Sequence, residues 1–470
     1  MRDTLLFGST GREYLPAKFR KSFRILTVRM GPGREPDFNT WTDGFRRLLG
    51  PRWDAHSFDL LNVMCALRAA DRYFGDQGMF CSRRKILLAV HVTNASRWRR
   101  LAQPLSKAVS ALSNDVLEFY PLQMRIIPGI AMPGDSQPEL KLPEGGQPDC
   151  VCLFSGGADS FAGAAYLLSR GRRPLFISHS VGPVSGLQKR LFNDLIERFK
   201  WLGPQYLVQL RPQPNTTRAF ARHRGKCLYW KPREGLQRLR SAFFFSIAGI
   251  FARALGLDEI FMCENGLVAA AIVFAPIDDS SYTTRPAEPH FLRAMESFLQ
   301  QVFDMPSLSI RNPFQYMTKG EVLADAAKLG LAESLFRTVS CWRSGNRGLR
   351  NCGQCVPCLF RQLAFSEAKL PPALGHNRYL VPIPQRRWRR WRSKELGRLE
   401  DIREYCRMAV KRGLPFLMAH ELSAVDAIDA TGGPVYCRKP NDRQKLDEKA
   451  PKKTADVILR FARATLQRLQ

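Results

Sequence analysis

Four cysteines crowd into the string SCWRSGNRGLRNCGQCVPCLFR: Cys341, Cys352, Cys355 and Cys358. Two overlapping C-x-x-C pairs and one upstream cysteine supply four thiolates, the number that closes a tetrahedral Zn²⁺ site. An Fe–S cluster uses the same ligand count and stays open as the alternative. No coordination position is left over, so the metal would be structural and would tie a C-terminal flap to the domain before it. Arg350 and Arg361 would offset the negative charge of the thiolates. The chain has 12 cysteines in 470 residues, which is not the density of a small disulfide scaffold, and the tight spacing points to metal.

A second stretch, LFSGGADSFAGA from Leu153 to Ala164, reads as a strand end, a glycine loop and a helix start. Gly156 and Gly157 allow backbone to approach an anion closely. Helix N-terminal N–H groups and the helix dipole attract phosphate, and Ser155 and Ser160 add hydroxyl donors. Asp159 repels phosphate by itself; it makes sense either as a ligand of Mg²⁺ or as an acceptor that fixes the loop. A P-loop is excluded because no Gly-Lys-Ser/Thr follows, and a dinucleotide fingerprint because the GxGxxG spacing is absent.

The elements that must hold these residues fall into three regions. Residues 1–145 end in the Pro/Gly-rich PGDSQPELKLPEGGQPD and read as an α+β accessory domain, with strands at Phe23–Met30 and Arg84–Val92 and a helix at His56–Phe74. Residues 149–366 alternate strand and helix. DCVCLF, RRPLFISHS, QYLVQL and DEIFMCEN are strands, and FAGAAYLLSRG, LQKRLFNDLIERFKWLG and LRSAFFFSIAGIFARALG are helices. That rhythm predicts an α/β fold, a doubly wound parallel sheet covered on both faces. Residues 376–470 read as a basic helical region that opens with PIPQRRWRRWRSK (Pro382–Lys394).

The net charge is +30, a balance that favours polyanionic partners. Arginines interleaved with tryptophans in QRRWRRWRSK suit nucleic acid; an acidic protein partner and a solvated or partly buried helix start are the alternative readings. The longest apolar run, Ser241–Leu257, is interrupted by Arg253 and falls short of a membrane span. With no apolar leader in MRDTLLFGST, a cytoplasmic protein is expected. His223, His290, His376 and His420 show no ligand spacing.

SGGADS resembles the SGGxDS signature of the PP-loop ATP pyrophosphatases. The cysteine string, of the form C-x(n)-CG-x-C-x-x-C-x-x-R, resembles that of the QueC-type 7-cyano-7-deazaguanine synthases. NPFQYMTKGEVLADAAKLGL is similar to that family's TKxE helix start, with Thr318 as N-cap and Glu321 three residues on. The resemblance implies an adenine-nucleotide alpha-hydrolase-like fold with a zinc-bound flap, using ATP, Mg²⁺ and structural Zn²⁺. It places phosphates over Ser155, Gly156, Gly157, Asp159 and Ser160 and adenine near Ile177–His179, at Ser178 and His179. Asp159, Ser160 and Lys319 would be catalytic, and Arg240, Glu264 and Arg285 would meet the substrate. The implied chemistry is C–N ligation: a 7-deazaguanine carboxylate is adenylated, pyrophosphate leaves, and an amine displaces AMP.

Departures lie on the substrate side. Thr284 stands where the family has an aspartate, no cysteine follows it, Ser241 replaces an asparagine, and CENGLVAAAIVFAP replaces a polar segment. Both flanking regions lie outside the resemblance. Chains of this length resemble the QueC-like proteins of bacterial anti-phage defence operons, which implies that the amine acceptor is either ammonia or the N-terminal amine of a partner protein. A nucleic-acid-modifying PP-loop protein and a nucleotide-binding scaffold without turnover are the competing classes.

Overall fold

In a computed structural model of the chain, the described residues are 5–8, 17, 24–27, 30–31, 38–73, 84–124, 140, 146–180, 183–214, 220–223, 226–229, 238–270, 285–341, 349–353, 355–370, 402–411 and 450–469. Fourteen strands run in chain order among them. β1 (Leu5–Gly8), β2 (Arg24–Thr27), β3 (Met30–Gly31), β4 (Phe38–Asn39), β5 (Lys85–Val92) and β6 (Val116–Gln123) belong to the N-terminal region. β7 (Cys150–Leu153), β8 (Pro174–His179), β9 (Tyr206–Leu210), β10 (Gln213–Pro214), β11 (Phe220–His223), β12 (Lys226–Tyr229), β13 (Glu259–Phe261) and β14 (Ser309–Arg311) follow.

The second region builds a five-stranded sheet in the order β14-β13-β7-β8-β9, parallel throughout. Chain order reverses between β7 and β13, which makes their carboxyl ends the switch point where an open α/β sheet binds ligands. The doubly wound expectation holds here, because short, largely buried strands such as Cys150–Leu153 alternate with helices such as Ala158–Ser169. Helix Arg240–Leu255 is apolar nearly all round. A helix of that composition needs burial on two sides, and it lies between β7 on one face and the N-terminal helix Ala55–Tyr73 on the other.

The N-terminal region corrects the α+β reading. β2, β1, β5 and β6 are parallel neighbours, with helix Ala55–Tyr73 packed on β5 and helix Ala95–Ser113 on β6. This is α/β architecture with an antiparallel edge added by the hairpin β11–β12, which comes from the second region and pairs with β2 through Arg222 and Thr27. Sequence distance hid that pairing. A separate three-stranded ribbon runs β10-β4-β3.

One hydrophobic core runs across the junction between these regions. Phe45, Leu60 and Leu88 belong to the same buried cluster as Phe251, Phe298 and Ile310. Trp98 faces Phe298 at 6.4 Å and Phe45 faces Phe251 at 6.0 Å between ring centroids. Arg97 caps helix Pro289–Phe303, donating to the carbonyls of Gln301 (3.0 Å) and Val302 (2.9 Å) and pairing with Asp304 (2.8 Å). A buried ionic knot closes the seam. Arg84 holds both Asp71 (2.8 Å) and Asp115 (2.5 Å), and Asp71 also accepts the Leu239 N–H at 3.0 Å.

Of the third region, residues 402–411 and Ala450–Leu469 are helical. Ile402, Cys406, Ile458 and Phe461 share a cluster with Leu359 and Leu363 of the flap helix Val356–Glu367 and with Leu267. These helices therefore pack on the second region. The stretch Pro382–Lys394, Thr284 and the last six residues of the CENGLVAAAIVFAP segment (271–276) lie outside the described residues. Among the described residues no helix is long and apolar enough to cross a membrane.

Candidate active site and cysteine cluster

The glycine loop sits at the switch point, between β7 and helix Ala158–Ser169. Gly156 has φ +85°, a left-handed conformation that favours glycine, and a Cβ there would press on Gln188 Cγ at 3.3 Å. Gln188 pins the loop from the neighbouring helix, donating to the carbonyls of Ser155 and His179, each at 3.2 Å. The two serines close the turn on itself. Their hydroxyls are 2.9 Å apart, the Gly157 N–H donates to Ser155 Oγ (3.2 Å), and Ser160 Oγ donates to the Gly157 carbonyl (3.1 Å).

Asp159 is buried in the first helical turn, and two separate segments converge on it. Lys319 donates its ammonium to Oδ2. Asn265, the N-cap of the turn Gly266–Ala269, donates to Oδ1 at 3.1 Å while accepting the Leu267 N–H. Lys319 reaches inward because it is the first residue of helix Lys319–Ala326. A capping box sets that helix: Thr318 accepts the Glu321 N–H (3.1 Å) and Glu321 accepts the Thr318 N–H (2.8 Å). The box expected from sequence is present. Both carboxylate oxygens of Asp159 are thus held by side chains, and neither bonds the loop backbone.

Glu264, just beyond the end of β13, is the third charged member. Burial and the nearby Asp159 carboxylate push its carboxyl up to about 8, against the opposing pull of Lys319. The sign follows directly. A raised carboxyl holds its proton in the folded chain and loses it in the unfolded one, so stability declines as pH rises from the ordinary carboxyl range towards about 8. Glu264→Gln is expected to abolish most of that decline, on the order of 3 kcal/mol between mildly acidic and mildly alkaline pH. Urea unfolding across this range checks it; a parallel decline in the variant would show that the titrating group lies elsewhere.

The remaining sequence candidates occupy distinct places. Ser178 is buried and donates its hydroxyl to the Phe154 carbonyl. The His179 ring bonds the Pro212 carbonyl at 2.8 Å and lies 5.4 Å from the Phe244 ring. Arg240 covers the same Phe244 at 5.1 Å, so Arg240 and His179 meet across one ring. Arg68 of the N-terminal region packs over Phe243 at 4.9 Å and joins this cluster. Arg285 stands at the seam, its backbone N–H donating to the Leu112 carbonyl at 2.8 Å. Asn265 and Arg68 escaped the sequence reading. The first had a local signal, an asparagine before Gly-Leu-Val at a strand end; the second had none.

The four cysteines come together and are buried. Their sulfurs all lie within 4.8 Å of one another. Cys352 to Cys358 is 3.9 Å and Cys355 to Cys341 is 3.8 Å. A tetrahedron of Zn–S bonds of about 2.3 Å has edges of about 3.8 Å, so the thiols fit one Zn²⁺; the space inside does not fit a multi-iron cluster. Two backbone N–H groups, of Cys352 and Cys355, point at sulfur as expected for steadied thiolates (3.4 and 3.3 Å). Arg361 does other work than the sequence suggested. Its guanidinium donates to Thr338 Oγ1 (2.6 Å) and to the Leu335 carbonyl (2.7 Å), capping the end of helix Ala332–Arg337. Arg350 is exposed.

Two links join this cluster to the glycine loop. Val339, packed against the cysteines, donates its N–H to the Gly156 carbonyl at 3.3 Å. Glu367, the last residue of the flap helix that carries Cys358, accepts the Thr318 hydroxyl at 2.5 Å. The flap therefore grips both the loop and the start of the Lys319 helix.

Comparison with known proteins agrees with this geometry. Residues 149–369 match the family described as "Queuosine biosynthesis protein QueC". The 7-cyano-7-deazaguanine synthase of Thermoplasma acidophilum is 27% identical over 247 residues, 49% of this chain and 92% of that protein. The synthase of Picrophilus torridus is 28% identical over 235 residues (46% and 87%), and that of Ectopseudomonas mendocina 31% over 138 residues (28% and 55%). The glycine loop, the Lys319 helix start and the four cysteines all lie inside the matched span, so residues 149–369 form a QueC-like domain.

Proposed function

We propose that this domain uses ATP to activate the carboxylate of a 7-deazaguanine-type substrate and joins it to an amine. The observation that carries the reading is the meeting of Asp159, Lys319 and Glu264 beside a glycine loop at a sheet switch point. The loop from Ser155 to Ser160 and the first-turn N–H groups would receive the phosphates, and Ser178, His179 and Arg240 would flank the adenine and base. A substrate carboxylate oxygen attacks the α-phosphorus, the bond to the bridging oxygen breaks, and pyrophosphate leaves. The amine nitrogen then attacks the acyl carbon, AMP departs with the former carboxylate oxygen, and the amine gives up a proton. Asp159 and Glu264 suit Mg²⁺, which would neutralise charge on the phosphates when bound. Lys319 and Arg285 would carry the countercharge, and orientation supplies most of the rate.

The acceptor is ammonia or the N-terminal amine of a partner protein, the second fitting a role in bacterial anti-phage defence. Mass spectrometry after incubation with ATP and a 7-deazaguanine acid separates them: an amide or nitrile of the base, or a protein heavier by the acyl group. Loss of AMP formation altogether would overturn the reading. The charge of +30 favours a second reading, nucleic acid as partner. Binding of tRNA that weakens steeply with salt, without AMP release from the acid, would select it.

A further inference from the structure

We infer that the C-terminal helix Ala450–Leu469, which lies outside the QueC-like span, is a positioning element for the Asp159 site. This rests on the proposed ATP-dependent reaction for its catalytic consequence, but its geometry stands apart from that reading. The helix touches both segments that deliver side chains to Asp159. On one side, Arg460 pairs with Glu321 and donates to the Tyr316 carbonyl at 3.0 Å. Glu321 is the capping-box residue that fixes the helix starting at Lys319. The guanidinium therefore holds Glu321 from one face while the Thr318 N–H holds it from the other, and Lys319 stands between them in sequence. Asp456, one turn earlier, orients Arg460 at 2.9 Å.

On the other side, Val457 packs onto Gly266. A Cβ at Gly266 would stand 2.8 Å from Val457 Cγ1 and 2.8 Å from the Gln315 carbonyl. Gly266 directly follows Asn265, which donates to Asp159. The backbone here is close-packed against the C-terminal helix, with the Gly266 N–H held by Met317 at 2.7 Å. Only glycine leaves room for both contacts. Lys319 and Asn265 are thus set by one helix through Arg460 and Val457, so a shift of that helix moves both donors to Asp159 together. A site made by three segments needs their relative placement fixed to a fraction of an ångström, and a misplacement of about 1 Å costs up to about 100-fold in rate.

The test uses the full chain carrying Arg460→Ala, Arg460→Lys or Glu321→Gln, with two readouts. ATP–pyrophosphate exchange is expected to fall about 10- to 100-fold in kcat for Arg460→Ala, with the KM for ATP changed far less and Arg460→Lys intermediate. Trace acetylation of Lys319, read by peptide mass spectrometry, is expected to rise as its pairing with Asp159 loosens. Arg460→Ala combined with Glu321→Gln should be no worse than either alone. If Lys319 labelling and kcat stay within about twofold of wild type in Arg460→Ala, the inference is wrong. Greater labelling with unchanged kcat also overturns it. Should the wild type show no exchange, the proposed reaction fails, and the labelling alone decides whether the helix places Lys319. If Arg460→Ala does not fold, the milder Arg460→Lys answers the same two questions.

Discussion

Asp159→Asn is expected to reduce ATP–pyrophosphate exchange by about 100- to 1,000-fold, the loss typical when a preorganised charge is removed from a reacting site. The carboxylate accepts from Lys319 and Asn265 at once and raises the neighbouring Glu264 carboxyl. An asparagine keeps the shape but turns one acceptor into a donor facing an ammonium. Lys319 then loses its directly bonded carboxylate, at a cost of up to about 3–5 kcal/mol, less whatever Glu264 returns by ionising beside it once the Asp159 charge is gone. Part of that would appear as lowered stability, which could be mistaken for the whole effect. The double variant Asp159→Asn, Lys319→Met separates the two. Replacing both ions by neutral groups should return most of the stability, because a buried pair contributes little net, while exchange stays at the single-variant level. Exchange near wild type in Asp159→Asn, with the protein folded, would remove Asp159 from the proposed chemistry.

The expectations that held are the local ones. A glycine loop, a capping box and a run of cysteines each specify their geometry within about twenty residues, and backbone sterics, helix-terminus hydrogen bonding or metal valence does the specifying. Strands β7, β8 and β9 announced themselves because each is a short apolar run bounded by breakers. What stayed hidden depends on long-range packing. The hairpin at residues 220–229 completes a sheet begun near residue 5, and no pattern in either segment names the other. The N-terminal sheet read as α+β because β1 is only four residues and β6 carries a proline, so its parallel rhythm was broken in the sequence.

The candidate site residues divide the same way. The types at Asp159, Lys319 and Glu264 and their positions at strand or helix ends made them visible. Ser178 and His179 were equally visible as polar groups at a strand end. Sequence could not show that the Phe154 and Pro212 carbonyls engage their side chains. Arg68 and Arg460 could not be found at all, since each acts from a region outside the resemblance and reaches the site only through tertiary packing.

Removing the metal should be the most damaging change to the whole site. The four thiols match the edges of a zinc tetrahedron, and structural zinc contributes about 10–16 kcal/mol in small domains. That is comparable to the entire stability of a typical domain, about 5–15 kcal/mol. The four buried thiols cluster with one another and with Val339, and without the metal at their centre the segment from Val339 to Glu367 is expected to open. Two contacts go with it: the Val339 N–H on Gly156 and the Glu367 carboxylate on Thr318. The first holds the glycine loop and the second the start of the Lys319 helix, so ATP-dependent turnover should vanish although no cysteine touches Asp159. Cys352→Ser should lower bound zinc from about one per chain to near zero, expose the flap to limited proteolysis, and abolish exchange. Cys65→Ala, in the N-terminal core, should keep its zinc and its flap protection. Full exchange in a zinc-free, protease-sensitive Cys352→Ser chain would mean that the flap merely covers the loop; loss of exchange together with protection shows that the four thiolates hold the nucleotide site from behind.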